Sequence, residues 1–505
     1  MNGMKRLLIQ HRIFLILLFI YLVFNVLTLK FYPKVSGDEG FLTRLAYLWN
    51  QNGIPIIDPN MSNVGANKGF RFFMLSGFSY FSSLGIIGSF FDFSLLGLRS
   101  HALLFATVCL VLTYLIALDL FDDKHKAIVS CFFLATSTHF MWHAHTIRQE
   151  TMLTANLLLL VYCFLKGISK CSEIWIYVSS FLSGMAVSIH GNGFYFPIFL
   201  LVLALYYKRK NNSWLRLPVF FKAFLFTLSG TLIFILFDYW PVHQEFWKAF
   251  SSPFYINQGI TNYYVSLSDF LSLGERQLIE IWATFWDSRC HNWMLYFIGY
   301  IIAIGGGLIF YTSQHKIIIL MIVLLSGMLF LVLPSRVHYC YFIPLFMMLL
   351  GSFFCELWSR AKKIKLLLIV ILGIWALNPL INTLARRNYD WEEQNKTIYS
   401  VIGNKSRFIS DANFVFGLPA ENLYVWYAIY DYDLQKFMIE EKIDFFIRDE
   451  TTYGLFDKNE KLFKECTEVL SKRVFRTNIG EQKHHIYPNE IKIFDCRALR
   501  KFDSL

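Results

Sequence analysis

Roughly eleven apolar runs, each long enough to cross a bilayer, recur along the chain and are separated by shorter polar or charged segments. Their cores fall at residues 13–29, 98–120, 127–142, 152–165, 174–189, 194–207, 219–237, 293–311, 317–333, 339–355 and 366–381. A segment in lipid must satisfy its backbone hydrogen bonds internally, so runs of this length predict spanning α-helices and exclude an ordinary soluble domain. Composition agrees: only 16% of the 505 residues are charged, against about 25% in a soluble domain. Mean hydropathy is +0.44.

A net charge of +11 would suit a nucleic-acid binder if it were clustered on one soluble face, but it is not. Lys5, Arg6 and Arg12 precede the first run, Lys124 and Lys126 follow the second, and Lys208, Arg209, Lys210 and Arg216 follow the sixth. Arg360, Lys362, Lys363 and Lys365 close the series on the same side. The positive-inside rule makes these loops cytoplasmic, which puts the N-terminus inside and the segment after the first run outside. An odd number of spans then carries the C-terminus outside as well. The first run lacks a small-residue cleavage site and is read as a retained span.

Two outer segments are long, 30–97 and 238–292. The second contains Ser272-Leu273-Gly274-Glu275, a capping-box pattern ahead of Ile279, Trp282, Ala283 and Trp286. Beyond residue 385 hydrophobicity falls, and β-like runs at 407–410, 444–447 and 490–494 alternate with helical stretches at 434–441 and 461–471. The expected organisation is a transmembrane domain over 1–385 and a small extracytoplasmic α/β domain over 386–505, large enough for its own core. Most of the nine cysteines lie in spans as small apolar residues. Cys466 and Cys496 differ, because the topology sets both in an oxidising compartment where a disulfide can form.

The polar groups with chemical potential fall where outer loops meet spans. Ser36 and Glu39 have capping-box spacing, and Phe41, Leu42, Leu45, Ala46 and Trp49 recur at helical intervals, so Asp38 stands at a helix start. Spacing alone leaves two roles for the acids: complementing the exposed helix amides, or acting as a base at the membrane surface. His143-Ala144-His145-Thr146-Ile147-Arg148-Gln149-Glu150 lies between the third and fourth runs and His190-Gly191-Asn192-Gly193 between the fifth and sixth. Pro334-Ser335-Arg336-Val337-His338-Tyr339 enters the tenth, with Tyr341 and Pro344 following. His143 and His145 lack a third placed ligand, which makes a divalent metal weakly supported, and no cofactor is implied. Lys68 and Arg71 are possible cationic helpers or a solvated loop surface.

Gly37-Asp38-Glu39 in this layout of spans resembles the first-loop acidic motif of the GT-C membrane glycosyltransferases, particularly the protein O-mannosyltransferase and aminoarabinose-transferase group. The resemblance covers roughly the first three quarters of the chain. It implies that Asp38 is the catalytic base, with Glu39 shaping the site and Glu150, the acid of an Arg-x-acid pattern, orienting sugar or acceptor. It assigns the donor phosphate to Arg148, His190, Arg336, His338 and Tyr339, His190 standing where relatives often carry another basic residue. The implied activity is inverting transfer of a sugar from a polyprenyl phosphate to a hydroxyl of a glycolipid, polysaccharide or protein, at the outer face of the cell membrane. Two alternatives from other classes are a flippase for a polyprenyl-linked glycan and a non-catalytic glycan-assembly subunit.

Overall fold

The computed structural model describes residues 2–33, 37–53, 77–209, 215–244, 294–309, 312–330, 340–360, 363, 365–385, 391–403, 405–410, 416, 422–425, 433–448, 453–473 and 490–499. Several residues singled out by sequence lie outside this set: Ser36, Lys68, Arg71, the Ser272–Trp286 pattern, Arg336, His338 and Tyr339. The helices, in chain order, are α1 (Asn2–Thr28), α2 (Gly37–Asn52), α3 (Phe78–Phe90), α4 (Leu95–Phe121), α5 (Lys124–Ala135), α6 (Thr138–Ala144), α7 (Gln149–Lys170) and α8 (Glu173–Met185). They continue with α9 (Phe196–Arg209), α10 (Leu217–Ile233), α11 (Met294–Ile309), α12 (Ser313–Phe330), α13 (Ile343–Arg360), α14 (Lys365–Ala385) and α15 (Trp391–Ile402).

Each apolar run contributes to a helix, but helices and runs do not coincide. Among the described residues, five stretches are long and apolar enough to cross a membrane: His11–Thr28, Leu95–Phe121, Gln149–Lys170, Leu217–Tyr239 and Ile343–Arg360. Phe78–Phe90, Gly299–Ile309, Gln314–Ser326 and Lys365–Ile381 are shorter apolar helices. The run at 127–142 is two helices, because Thr136 Oγ1 donates back to Phe132 O at 2.6 Å while Ser137 Oγ accepts from Phe140 N at 3.2 Å and caps α6. The run at 219–237 leaves the α-helix for a π-helical turn, Phe234–Tyr239, a local irregularity often found at functional sites.

Polarity is arranged inside out. Phe19, Leu27, Leu217 and Phe221 are each more than 60% exposed on helix faces, while Arg99, His101, Thr113, His139, His143 and His145 are buried. Such extended apolar surface fits lipid and not water. Helices approach closely through small residues: a Cβ on Gly184 of α8 would meet Thr227 O of α10 at 2.0 Å, and one on Gly230 would meet Phe181 O at 2.2 Å.

After α15 the chain forms a five-stranded sheet from β1 (Phe408–Ser410), β2 (Leu423–Val425), β3 (Phe445–Arg448), β4 (Thr467–Arg473) and β5 (Glu490–Asp495), in the order β2-β1-β3-β5-β4. β1 pairs in parallel with β2 and β3, while β5 pairs antiparallel with β3 and β4. Alternation puts Phe408, Phe445 and Ile493 in one core and Ile409, Phe446 and Phe494 in another, the latter covered by Leu434, Met438 and Phe463. The helical reading of 461–471 is corrected here. Only Glu460–Phe463 is helical, and the rest enters β4, where pairing with β5 overrides local propensity.

Candidate active site

Asp38 and Glu39 share the first turn of α2, where both complement the exposed amides, yet their surroundings differ sharply. The Glu39 side chain is fully buried and forked onto Arg99 of α4, with Arg99 Nε to Oε1 at 3.0 Å and Nη2 to Oε2 at 2.9 Å. Arg99 also donates to Leu29 O at 2.9 Å and Pro33 O at 3.1 Å, and Ile147 N donates to Glu39 Oε1 at 3.2 Å. One buried ion pair therefore fixes the exit of α1, the start of α2, the start of α4 and the turn before α7. Two charged residues adjoin that clamp in sequence: Asp38 precedes Glu39, and Arg148 follows Ile147.

Asp38 keeps its side chain 67% exposed and accepts a hydrogen bond from Arg148 Nη1. Arg148, in extended conformation at the N-cap of α7, turns its other edge to Glu150, with Nε to Oε2 and Nη2 to Oε1 both at 3.2 Å. Glu150 is only 3% exposed. Burial works against the Arg148 charge, but Glu150 and then Asp38 outweigh it and hold the guanidinium above its ordinary range. The result is a chain of charges running from an open carboxylate, through a fixed guanidinium, to a buried carboxylate.

Four further groups stand within electrostatic range of Glu150: Tyr80 on α3, His190, Cys340 and Tyr341. His190 Nδ1 accepts from Asn192 N at 3.0 Å, and Asn192 Nδ2 donates to Tyr341 Oη at 3.3 Å, which ties the His190–Gly193 turn to the entrance of α13. Burial pushes the His190 imidazole down; Glu150 opposes the shift and Arg148 adds to it. A neutral ring with Nδ1 accepting carries its proton on Nε2 and offers a hydrogen bond, not a charge. Gly193 is committed to packing, since a Cβ there would meet Ala186 O at 2.1 Å.

The two histidines weighed as metal ligands have other surroundings. His145 Nδ1 lies 2.8 Å from Tyr32 O and Nε2 2.7 Å from Asn25 Oδ1, pinning the turn to α1, and the His143 ring is tilted against His139 and edge-on to Trp142. Among the described residues no group of three or more His, Cys, Asp or Glu is disposed to hold a metal ion. Sequence reasoning missed Arg99, although a charge inside an apolar run was itself a signal. It also missed Asp238, on the π-helical turn, whose Oδ1 accepts from Phe78 N at 2.7 Å across 160 residues. That carboxylate caps α3, whose own N-cap, Gly77, has no side chain to do so.

Residues 78–240 match the family model described as dolichyl-phosphate-mannose-protein mannosyltransferase, a stretch that contains Arg99, Arg148, Glu150, His190 and Asp238. No curated protein matches the chain in sequence. Among solved structures, ArnT from Cupriavidus metallidurans in the apo state is similar at 10% identity and a TM-score of 0.56, over 96% of this chain and 98% of that one. The same protein bound to undecaprenyl phosphate gives 10%, 0.54 and the same coverage. The Archaeoglobus fulgidus oligosaccharyltransferase AglB, in complex with an inhibitory peptide and a dolichol-phosphate, gives 12% and 0.51 over 96% of this chain and 78% of that one. Nearly full-length likeness to these structures, together with the match at 78–240, gives the chain the fold of the GT-C membrane glycosyltransferases.

Proposed function

We propose that the chain is an inverting glycosyltransferase that moves a sugar from a polyprenyl phosphate to a hydroxyl acceptor at the outer face of the membrane. The observation that carries this reading is the Asp38–Arg148–Glu150 chain, an exposed carboxylate held in place by a guanidinium that is itself forked onto a buried acid. The ligands bound in the structural relatives, undecaprenyl phosphate in ArnT and a dolichol-phosphate in AglB, support a lipid-phosphate donor. The flippase alternative would carry its polar groups in broken helices near mid-membrane. Here Asp38, Arg148 and Glu150 gather at the starts of α2 and α7.

In the proposed reaction the acceptor oxygen attacks the anomeric carbon while its proton passes to Asp38, and the bond from that carbon to the phosphate oxygen breaks with its electron pair. Direct displacement inverts the anomeric centre. The leaving phosphate carries its charge without a proton, so no second carboxylic acid is required as in most glycosidases. Arg148, and Arg336 from the entrance of the tenth run, stabilise that charge, while neutral His190 contributes a hydrogen bond. His338 and Tyr339 are assigned to the donor phosphate by their place in the sequence, Glu150 orients Arg148 and the sugar, and Glu39 holds Asp38 in position through Arg99. Residues 386–505 form the extracytoplasmic domain beside this face, and the eleven runs all span. Purified protein incubated with a panel of polyprenyl-phosphate sugars and cell-envelope acceptors, with mass spectrometry of the products, tests the reading. Sugar transfer with inversion supports it, and absence of transfer from every donor refutes it.

A further inference from the structure

Two cysteines stand one residue beyond the last paired position of β4 and β5. Thr467 of β4 pairs with Asp495 of β5, so the antiparallel ladder carried one step outward sets Cys466 opposite Cys496. Facing residues in such a ladder have Cα atoms about 4.5–5.5 Å apart, inside the range of about 4.4–6.8 Å that a disulfide bridges. The Cys466 thiol lies close enough to Cys496 to act on it electrostatically. Cys496 is buried in the core on one face of the sheet and Cys466 is partly exposed against the same core. Both are also anchored locally, Cys466 Sγ 3.9 Å from Leu462 O and Cys496 Sγ 3.7 Å from Phe494 O, while Cys496 N donates to Asp444 O at 2.8 Å and extends the pairing towards β3.

We propose that Cys466 and Cys496 form a cross-strand disulfide that fastens the edge of this sheet. The proposal rests on the reading that residues 386–505 lie outside the membrane, where a disulfide-bearing oxidant is at hand. In the first step the Cys466 sulfur, as thiolate, attacks the oxidant's disulfide and expels one of its sulfurs as a thiol. In the second, Cys496 loses its proton, attacks the Cys466 sulfur of the mixed disulfide and expels the other. Two cysteine thiols and one disulfide thus become one protein disulfide and two thiols, with the protein oxidised by two electrons and the oxidant reduced by two. The edge needs fastening, because among the described residues β4 has a single sheet neighbour and its register shifts between Glu468 and Leu470. An open, irregular edge strand is a template for pairing with other chains.

The test uses the full-length protein. Purified, reduced protein is incubated with oxidised glutathione, blocked with N-ethylmaleimide under denaturing conditions, reduced, and labelled with a polyethylene-glycol maleimide. We expect a gain of two labels out of nine cysteines, abolished in both Cys466→Ser and Cys496→Ser and retained in Cys290→Ser. Cys466→Ala replaces the serine variant if that one fails to accumulate. No gain in the wild type, or a gain that survives loss of Cys466, overturns the pairing. Membranes quenched with the blocker at harvest are expected to show the same two labels, and a reporter active only outside the cytoplasm, fused after Leu505, separates the two ideas. A silent reporter with unlabelled membranes overturns the outer placement, and with it the disulfide in cells. An active reporter with unlabelled membranes overturns the disulfide alone.

Discussion

Replacing Arg99 by methionine removes one charge and strands the other. The guanidinium gives two hydrogen bonds to Glu39 and one each to Leu29 O and Pro33 O, all in a setting where both ionic side chains are 0% exposed. Removing one partner of a buried pair costs about 3–5 kcal/mol, and each buried carbonyl left without its donor adds about 1–3 kcal/mol. The total is a large share of the roughly 5–15 kcal/mol that holds a typical domain folded. Glu39→Gln leaves the guanidinium without its counter-charge but keeps both carbonyl bonds, so its loss is the smaller of the two. The double variant removes both charges, and the two effects therefore fall short of adding by about 1–3 kcal/mol. Equilibrium unfolding in mixed detergent micelles, followed by tryptophan fluorescence, gives all four free energies. Single variants within about 1 kcal/mol of wild type, or strictly additive effects, would refute the assignment of this pair as the clamp. Turnover offers a second readout, since the clamp positions the residues next to Asp38 and Arg148: the folded fraction of Arg99→Met should transfer sugar more slowly at saturating donor.

Asp38→Asn should lower transfer by about two to four orders of magnitude while leaving the amount of folded protein unchanged, and near-normal turnover by the variant would exclude Asp38 as base. Arg336→Ala should depress turnover even at saturating donor and Arg336→Lys should restore it only in part, because a lysine cannot fork onto a phosphate; equal saturating rates for the alanine variant and wild type reject the phosphate role of Arg336. His190, held below its ordinary value by burial, contributes stability that is present above an unfolded pKa of about 6.5 and is lost as pH falls from there towards its folded value. Unfolding midpoints measured against pH should therefore fall more steeply below about pH 6.5 in wild type than in His190→Gln, and parallel curves contradict the burial argument.

Helical, membrane-crossing character was legible in the sequence because it is a local property: a run such as 98–120 is apolar whatever surrounds it. Helix breaks were less so. The division at Thr136 and Ser137 depends on which way two small hydroxyls turn, and the hydropathy of 127–142 is continuous across it. The Arg148–Glu150 fork was readable from spacing, being two residues apart at a helix start. Its reach to Asp38 spans 110 residues, and nothing in the spacing or the resemblance gave that pairing. Arg99 stands near the end of its apolar run, where a charged side chain ordinarily turns towards water, and its inward turn needs a partner 60 residues away. In the sheet, the β1, β3 and β5 segments were visible, whereas β2 was not singled out and β4 owes its conformation to pairing with β5.

The Asp238 cap sets an order of events during synthesis. The amide of Phe78 emerges early, but its acceptor is 160 residues downstream. At about 5–20 residues per second the ribosome takes roughly 8–30 s to supply that carboxylate. Through that interval the first turn of α3 must rely on other acceptors, and its docking is completed only after α10 has been made. A chain cut short before Asp238 therefore holds every earlier helix of this fold yet leaves the entrance of α3 untied.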